Sequence, residues 1–125
     1  MVKAVVFDLD DTLYMEEEFV RQGLKHAANV AENTYGIFDA YEKIRSLYQE
    51  SRSNVFDRLV KLNTIKDQEI IIAELIKAYR NCEPVSLHCN PGILQLLQAL
   101  RSKKISTGII TDGIVNVQKS KIKAL

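Results

Sequence analysis

The chain has 125 residues, 46% of them hydrophobic and 26% charged, which is a composition typical of a folded globular protein. Its formal net charge of only +1 argues against nucleic acid or an anionic membrane surface as a partner. No apolar run approaches the roughly 18 residues of a membrane helix, and the start turns acidic too soon for a signal peptide. We therefore expect a cytoplasmic protein of about one domain's length.

The first predicted element is a short buried strand over residues 3–9, because these residues are apolar and β-branched without alternation. The strand runs into two carboxylates, Asp8 and Asp10, and a turn follows. Side chains two positions apart on a strand point the same way, so these carboxylates are expected to meet where the strand ends. Two like charges that close are unfavourable unless a cation or a shared proton relieves them. The pattern suits Mg²⁺-assisted chemistry.

Four helices are predicted next, each with one apolar face. The first covers residues 16–35, with three glutamates in its first turn and Gly36 as its stop. The second and third cover 39–51 and 54–62. Asp67 is expected to cap the fourth, which ends before the break at Glu83-Pro84. Short polar joints connect the four helices, so they are predicted to form a bundle.

A fifth helix is expected to begin with Asn90 as its N-cap and Pro91 at its first position. Its predicted inner face consists of Ile93, Leu96, Leu97 and Leu100. A second strand over 105–111 and a helix over 114–125 follow. A strand, a long helical insert, a helix and a second strand predict an α/β fold with parallel strands. In such sheets the ligand site lies beyond the carboxyl ends of the strands, where Asp8 and Thr111 stand.

The segment from Asp8 to Thr12 resembles the first signature of the haloacid dehalogenase (HAD) superfamily, a strand ending in Asp-x-Asp-x-Thr, with Leu13 also usual. Residues 108–113, Gly-Ile-Ile-Thr-Asp-Gly, are similar to the second signature, an apolar strand ending in Thr or Ser. The resemblance implies a HAD-like Rossmannoid parallel sheet, incomplete in this chain, over residues 1–13 and 89–125. It also implies an inserted helical-bundle cap over residues 14–88.

The resemblance further implies a hydrolase that cleaves the phosphomonoester of a small metabolite through an aspartyl-phosphate. Asp8 would be the nucleophile, and Asp10 the general acid and then the base. The cofactor would be Mg²⁺, bound by the Asp8 carboxylate and the Asp10 backbone carbonyl. Thr111 would donate its hydroxyl to a phosphoryl oxygen. Backbone N–H groups would cradle the other phosphoryl oxygens near Leu9, Asp112 and Gly113.

Two alternatives concern single positions. An acid at position 10 favours a phosphatase over a 2-haloacid dehalogenase, because a halide leaving group needs no proton. Taken alone, residues 111–113 would also fit a simple turn in which Asp112 caps the last helix. Asp11 is expected to be a turn former or helix cap.

Two further family signatures, one with a Lys and one with distal acids, do not occur in this sequence. Lys119, Lys121 and Lys123 directly follow the second strand, so they are expected to form a solvated helix face. We therefore expect the N-terminal part of a longer hydrolase, with weak or no turnover as it stands. If the chain is complete, a homodimer is expected to cover the exposed sheet. The main rival is a non-catalytic HAD-like module that binds phosphate or a partner.

The cysteines, Cys82 and Cys89, stand near His88 and invite a comparison with zinc sites. A structural zinc site needs four ligands at tighter spacings, and His26 is the only other histidine. Reduced thiols are therefore the expected state.

Overall fold

The computed structural model describes residues 1–64 and 66–125 and has the α/β class and element order that the sequence predicts. The elements are β1 (Ala4–Phe7), α1 (Glu16–Tyr35), α2 (Ala40–Glu50), α3 (Val55–Asn63), α4 (Gln68–Arg80), α5 (Ile93–Ser102), β2 (Ser106–Ile109) and α6 (Val115–Ala124). Among these residues, no helix is both long and apolar enough to span a membrane.

The sheet consists of β1 and β2, which pair in parallel as predicted, with Ala4 opposite Ser106 and Phe7 opposite Ile109. The predicted burial of the first strand is wrong. Residues of β1 alternate between exposed and half-buried, and all four residues of β2 are exposed. The physical reason is that the faces of a parallel sheet are buried only by elements packed on them, and the residues of this small sheet are left largely uncovered.

The chain divides into two compact units. One comprises Met1–Phe19 with Glu83–Leu125, and the other comprises Val20–Cys82. The first unit contains both strands, α5 and α6. The second contains most of α1 together with α2, α3 and α4. The division into residues 1–13 with 89–125 and residues 14–88 stays a prediction.

The helical unit has the apolar core that the periodicity predicts. The buried residues of α1 are Val20, Leu24, Ala27, Ala28 and Ala31. They share one cluster with Ile44, Leu59, Val60 and Leu75 from the other three helices. Helix α1 ends at Tyr35 because Gly36 adopts the left-handed conformation, with φ of 65°, that commonly follows a helix.

Two predicted helix caps are wrong. Asp67 precedes α4 in a left-handed conformation, with φ of 56°, and among the described residues its side chain does not cap the helix. Helix α5 begins at Ile93 after Gly92, with φ of 84°, rather than at Pro91. The Asn90 side chain instead donates to the Thr12 carbonyl at 3.0 Å, and its backbone N–H donates to the Leu13 carbonyl at 2.8 Å. These two hydrogen bonds connect Asn90, just before α5, to the turn that follows Asp10.

The predicted inner face of α5 is only half-covered. Ile93, Leu97 and Leu100 are half-buried, but Leu96 is 43% exposed, which corrects its assignment to the core. The helix is amphipathic, but the two exposed strands offer a narrow surface for it to pack against.

Candidate active site

The first carboxylate, Asp8, stands directly after β1 and is exposed to solvent. Its Oδ1 accepts a hydrogen bond from the Leu9 backbone N–H at 2.8 Å. The Leu9 side chain is fully buried and anchors the backbone beside Asp8. The backbone at Asp8 is therefore held in place while its carboxylate is exposed to solvent, a combination suited to a nucleophile.

The second carboxylate, Asp10, is half-buried and accepts hydrogen bonds from three side chains. The Tyr14 hydroxyl lies 2.6 Å and Lys121 Nζ 2.9 Å from Oδ1, and Gln118 Nε2 lies 3.1 Å from Oδ2. Tyr14 is fully buried, and Gln118 and Lys121 are only 6% and 5% exposed. Asp10 is therefore held on both of its oxygens by donors that are almost withdrawn from water.

These contacts decide the charge of Asp10. Burial alone would raise the pKa of Asp10, because desolvation disfavours the ionised form. The hydrogen bonds from Tyr14, Lys121 and Gln118, together with the positive charge on Lys121, outweigh burial and lower the pKa below its ordinary value. Asp10 is therefore a carboxylate at neutral pH, the form that accepts a proton.

The hydroxyl of Thr111 lies in the same network. Thr111 stands two residues beyond β2, and its Oγ1 accepts a hydrogen bond from Gln118 Nε2 at 2.7 Å. The same hydroxyl donates to the Asp112 carbonyl at 3.3 Å. One amide nitrogen of Gln118 thus contacts both Asp10 and Thr111. Groups that follow the two parallel strands are joined through a single side chain.

Asp112 and Gly113 follow Thr111 and are both exposed. The N-cap position of α6 is Ile114, so the alternative in which Asp112 caps that helix is wrong. Gly113 has φ of 122°, and a Cβ built there would lie 3.3 Å from Gln118 Cδ. Glycine at 113 therefore leaves room for the Gln118 side chain. The roles of Leu9, Asp112 and Gly113 toward a phosphoryl group stay predictions.

The expected solvated face of α6 is wrong for one of its three lysines. Lys119 and Lys123 are exposed, but the Lys121 side chain is 6% exposed and pairs with Asp10. Its Nζ lies 4.7 Å from the centroid of the buried Phe19 ring. Because Lys121 and Gln118 are three residues apart, they share one face of the helix. This face contacts Asp10 and Thr111.

Tyr14, Gln118 and Lys121 are site residues that the sequence prediction missed. For the last two, a signal was present. Positions 118, 121 and 125 recur at helical spacing, and the buried stripe of a helix is normally apolar. Polar residues at 118 and 121 are a local inconsistency of the kind that marks functional sites. Tyr14 offered only its position four residues after Asp10.

The donor chemistry of the site fits Mg²⁺ held partly by water and substrate. Mg²⁺ prefers oxygen ligands and is commonly bound through one or two carboxylates plus phosphate oxygens. Asp8 presents an exposed carboxylate, whereas the Asp10 carboxylate is taken up by three donors, which leaves its backbone carbonyl as the donor to consider. Within residues 1–64 and 66–125, no three His, Cys, Asp or Glu residues form a metal-binding group.

Asp11 has the structural role expected of it. Its Oδ1 accepts a hydrogen bond from the Glu16 backbone N–H at 2.9 Å, at the first residue of α1. Its φ is 57°, a left-handed conformation that aspartate tolerates better than most residues.

Among the described residues, Cys82 and Cys89 do not form a disulfide bond. His88 Nδ1 lies 2.6 Å from Glu18 Oε1, so this histidine is paired with a carboxylate.

Comparisons with known proteins find a family model, relatives and solved structures to which the chain is similar. A family model described as haloacid dehalogenase-like hydrolase matches residues 2–125. Glyceraldehyde 3-phosphate phosphatases of Methanocaldococcus jannaschii and Methanothermobacter thermautotrophicus are 32% and 33% identical to the chain, each over 98% of it. The chain spans about half the length of these relatives, 56% and 57% respectively. A crystal structure of a dehalogenase, 16% identical, aligns with 98% of the chain and 57% of its own length, with a TM-score of 0.43.

Proposed function

Because the chain belongs to the haloacid dehalogenase-like hydrolase family, we propose that Asp8, Asp10 and Thr111 are reacting groups of a Mg²⁺-dependent phosphomonoester hydrolase. One observation carries the proposal. Asp10 and Thr111, which follow different strands, are bridged by Gln118, and the exposed Asp8 carboxylate stands at the end of β1. This is the edge where a parallel sheet binds its ligand.

The reaction has two halves. In the first, an Asp8 carboxylate oxygen bonds to phosphorus, the bond to the leaving oxygen breaks, and Asp10 supplies the proton to that oxygen. In the second, the Asp10 carboxylate takes a proton from water, and this water attacks the aspartyl-phosphate to release phosphate and free Asp8. The lowered pKa of Asp10 favours the second half. A bound phosphate dianion raises that pKa, as like charges do, and so favours the acid form in the first half.

Other groups bind and orient the phosphoryl group. The Thr111 hydroxyl turns from the Asp112 carbonyl, to which it donates at 3.3 Å, and donates to one phosphoryl oxygen. The Leu9 N–H already donates to Asp8, so the exposed Asp112–Gly113 backbone is the stronger candidate for the remaining oxygens. The Asp8 carboxylate and the Asp10 carbonyl would hold Mg²⁺, which neutralises charge between carboxylate and phosphate when bound.

The substrate class is a small phosphorylated metabolite. The two relatives described above are named glyceraldehyde 3-phosphate phosphatases, so this triose phosphate is the first substrate to test. Asp10 supports a phosphatase rather than a dehalogenase, because an alkoxide leaving group needs a proton from an acid at this position and a halide does not.

A second candidate function is phosphate binding without turnover. The observation in its favour is that Tyr14, Gln118 and Lys121 all stabilise Asp10 in its ionised form. The ionised form cannot protonate a leaving group. A chain in which these donors keep Asp10 ionised would therefore bind phosphate without hydrolysing an ester.

The test is Mg²⁺-dependent hydrolysis of 4-nitrophenyl phosphate by the purified chain, by Asp8→Asn and by Asp11→Asn. We expect slow hydrolysis that disappears in Asp8→Asn and on removal of Mg²⁺ with EDTA. Asp11→Asn is the matched control, because asparagine tolerates the left-handed conformation and keeps an oxygen for the Glu16 N–H.

Equal hydrolysis by wild type and Asp8→Asn would contradict the assignment of the nucleophile. If the folded wild-type chain does not hydrolyse 4-nitrophenyl phosphate, the proposal that this chain turns over is contradicted. Calorimetric titration with inorganic phosphate then tests the second candidate, for which we expect binding that weakens in Thr111→Val.

A further inference from the structure

One face of α6 presents two buried polar side chains to the site. Gln118 and Lys121 are 6% and 5% exposed, although α6 has only ten residues and its other lysines are exposed. Burying an amide or an ammonium group is costly unless its hydrogen bonds are made. For both side chains the partner that satisfies them is Asp10.

The Lys121 ammonium has a defined position. It lies 2.9 Å from Asp10 Oδ1 and 4.7 Å from the centroid of the buried Phe19 ring. A carboxylate and an aromatic face both attract a cation, and the attraction to the ring strengthens when water is excluded. A buried ion pair is nevertheless weak evidence for stability, since apolar residues of similar volume often replace it without loss. What this pair does determine is where the Asp10 carboxylate points.

Gln118 links the two strand ends. Its Nε2 has two N–H groups, and its contacts are Asp10 Oδ2 at 3.1 Å and Thr111 Oγ1 at 2.7 Å. A Cβ at position 113 would lie 3.3 Å from Gln118 Cδ, so glycine there leaves room for this arrangement. A shift of Gln118 would therefore move Asp10 and Thr111 relative to each other.

We propose that Gln118 and Lys121 are positioning residues of the reaction, which hold the Asp10 carboxylate and the Thr111 hydroxyl in one arrangement from a single face of α6. The inference rests on the proposed phosphatase function. Lys121 acts through Asp10 and Gln118 through both partners. The loss of either should reduce proton transfer to the leaving group more than it reduces substrate binding.

The test compares substrates whose leaving groups differ in their need for a proton. For Lys121→Met we expect kcat/KM on glyceraldehyde 3-phosphate, which reports the first half of the reaction, to fall roughly tenfold, part of the roughly 10²–10⁴-fold that positioned proton transfer contributes. On 4-nitrophenyl phosphate, whose phenolate leaves without a proton, we expect kcat/KM to fall less than about threefold. The two substrates share the second half of the reaction, so kcat alone does not separate them.

Two variants sharpen the comparison. Lys119→Met, an exposed lysine of the same helix, is the matched control and is expected to behave as wild type. Lys121→Arg keeps a cation and is expected to restore part of the lost kcat/KM. Equal losses of kcat/KM on the two substrates, or no loss, would overturn the proposal. If Lys121→Met does not fold, Gln118→Met takes its place in the same comparison, because it breaks the link to Thr111 and retains the cation.

A second measurement separates this inference from the proposed function. If the wild-type chain shows no turnover, the proposed function is contradicted. Thermal unfolding then tests whether Lys121 holds the Asp10 carboxylate. We expect Lys121→Met to lower Tm by roughly 5 °C in the wild-type background and by clearly less in Asp10→Asn, where the carboxylate is absent. Equal changes of Tm in the two backgrounds would show that Lys121 does not act through the Asp10 carboxylate.

Discussion

At the scale of single residues, two aspartates two positions apart have different environments. Asp8 is exposed and accepts a hydrogen bond from the neighbouring backbone N–H, whereas Asp10 accepts from Tyr14, Gln118 and Lys121. Different environments let two carboxylates take different roles in one reaction. Here the exposed one suits attack on phosphorus, and the enclosed one suits proton transfer.

Tyr14 provides a test of the Asp10 environment. Its buried hydroxyl donates to a carboxylate, so Tyr14→Phe is expected to lower the free energy of unfolding by about 1.5 kcal/mol at pH 7. The folded-state pKa of Asp10 is lowered, so this contribution is fully present above the unfolded-state pKa. It is lost as the pH falls through the folded-state pKa.

The measurement is urea unfolding of wild type and Tyr14→Phe in metal-free buffer, from pH 7 down to about pH 2. The difference between the two proteins should shrink below about pH 4, where Asp10 begins to be protonated in the unfolded state. A difference that stays constant over this range would show that Tyr14 does not act through the ionised form of Asp10.

At the scale of elements, the helices agree with their predicted spans because amphipathic periodicity is a local property. Their starts agree less well. The residues before α2, α3, α4 and α5 are Asp39, Asn54, Asp67 and Gly92, all with positive φ. Asp and Asn favour both the N-cap and the left-handed conformation, so the residue type alone does not separate the two.

Packing within the helical unit depends on a glycine inside α1. A Cβ at Gly23 would lie 2.6 Å from Cε2 of Tyr79, a residue of α4 whose ring centroid is 6.1 Å from that of Phe56. The absence of a side chain at Gly23 therefore allows the Tyr79 ring to pack against α1.

Gly23→Ala is consequently expected to destabilise the protein, although helix propensity alone would predict stabilisation. Alanine in a helix interior stabilises by roughly 0.5–1 kcal/mol over glycine, but overpacking against Tyr79 costs roughly 1–3 kcal/mol. We expect Gly23→Ala to lower the free energy of unfolding by about 1 kcal/mol in wild type and to raise it in the Tyr79→Ala background. Urea unfolding of the four proteins measures both changes. The same sign in both backgrounds would contradict this account of the contact.

At the scale of the whole molecule, the unit that contains the sheet leaves apolar side chains in contact with water. The large exposed ones on the strands and α5 include Val6, Leu94, Leu96 and Ile109. Exposed apolar surface on an open sheet favours pairing with another chain. The homodimer that the sequence suggested for a complete chain stays a prediction.

Sedimentation equilibrium measures this association. We expect the wild-type chain to associate at micromolar concentration and Val6→Lys, a charge on a strand residue 55% exposed, to shift it toward monomer. Leu62→Lys is the control, because Leu62 is an exposed leucine of α3 in the helical unit. A monomeric wild type over the whole concentration range would contradict the prediction.

The sequence by itself determined the fold class, the order of the elements and the strand-end positions of Asp8, Asp10 and Thr111. These follow from hydrophobic periodicity and from the place where each apolar strand ends, which are local properties of the chain. Only the tertiary structure decided which side chains hold Asp10. Lys121 lies 111 positions from its partner, and whether a helical lysine meets water or a carboxylate depends on the face that α6 presents to the site. The exposure of the strands was decided in the same way, because burial depends on the surrounding elements rather than on the residues of the strand.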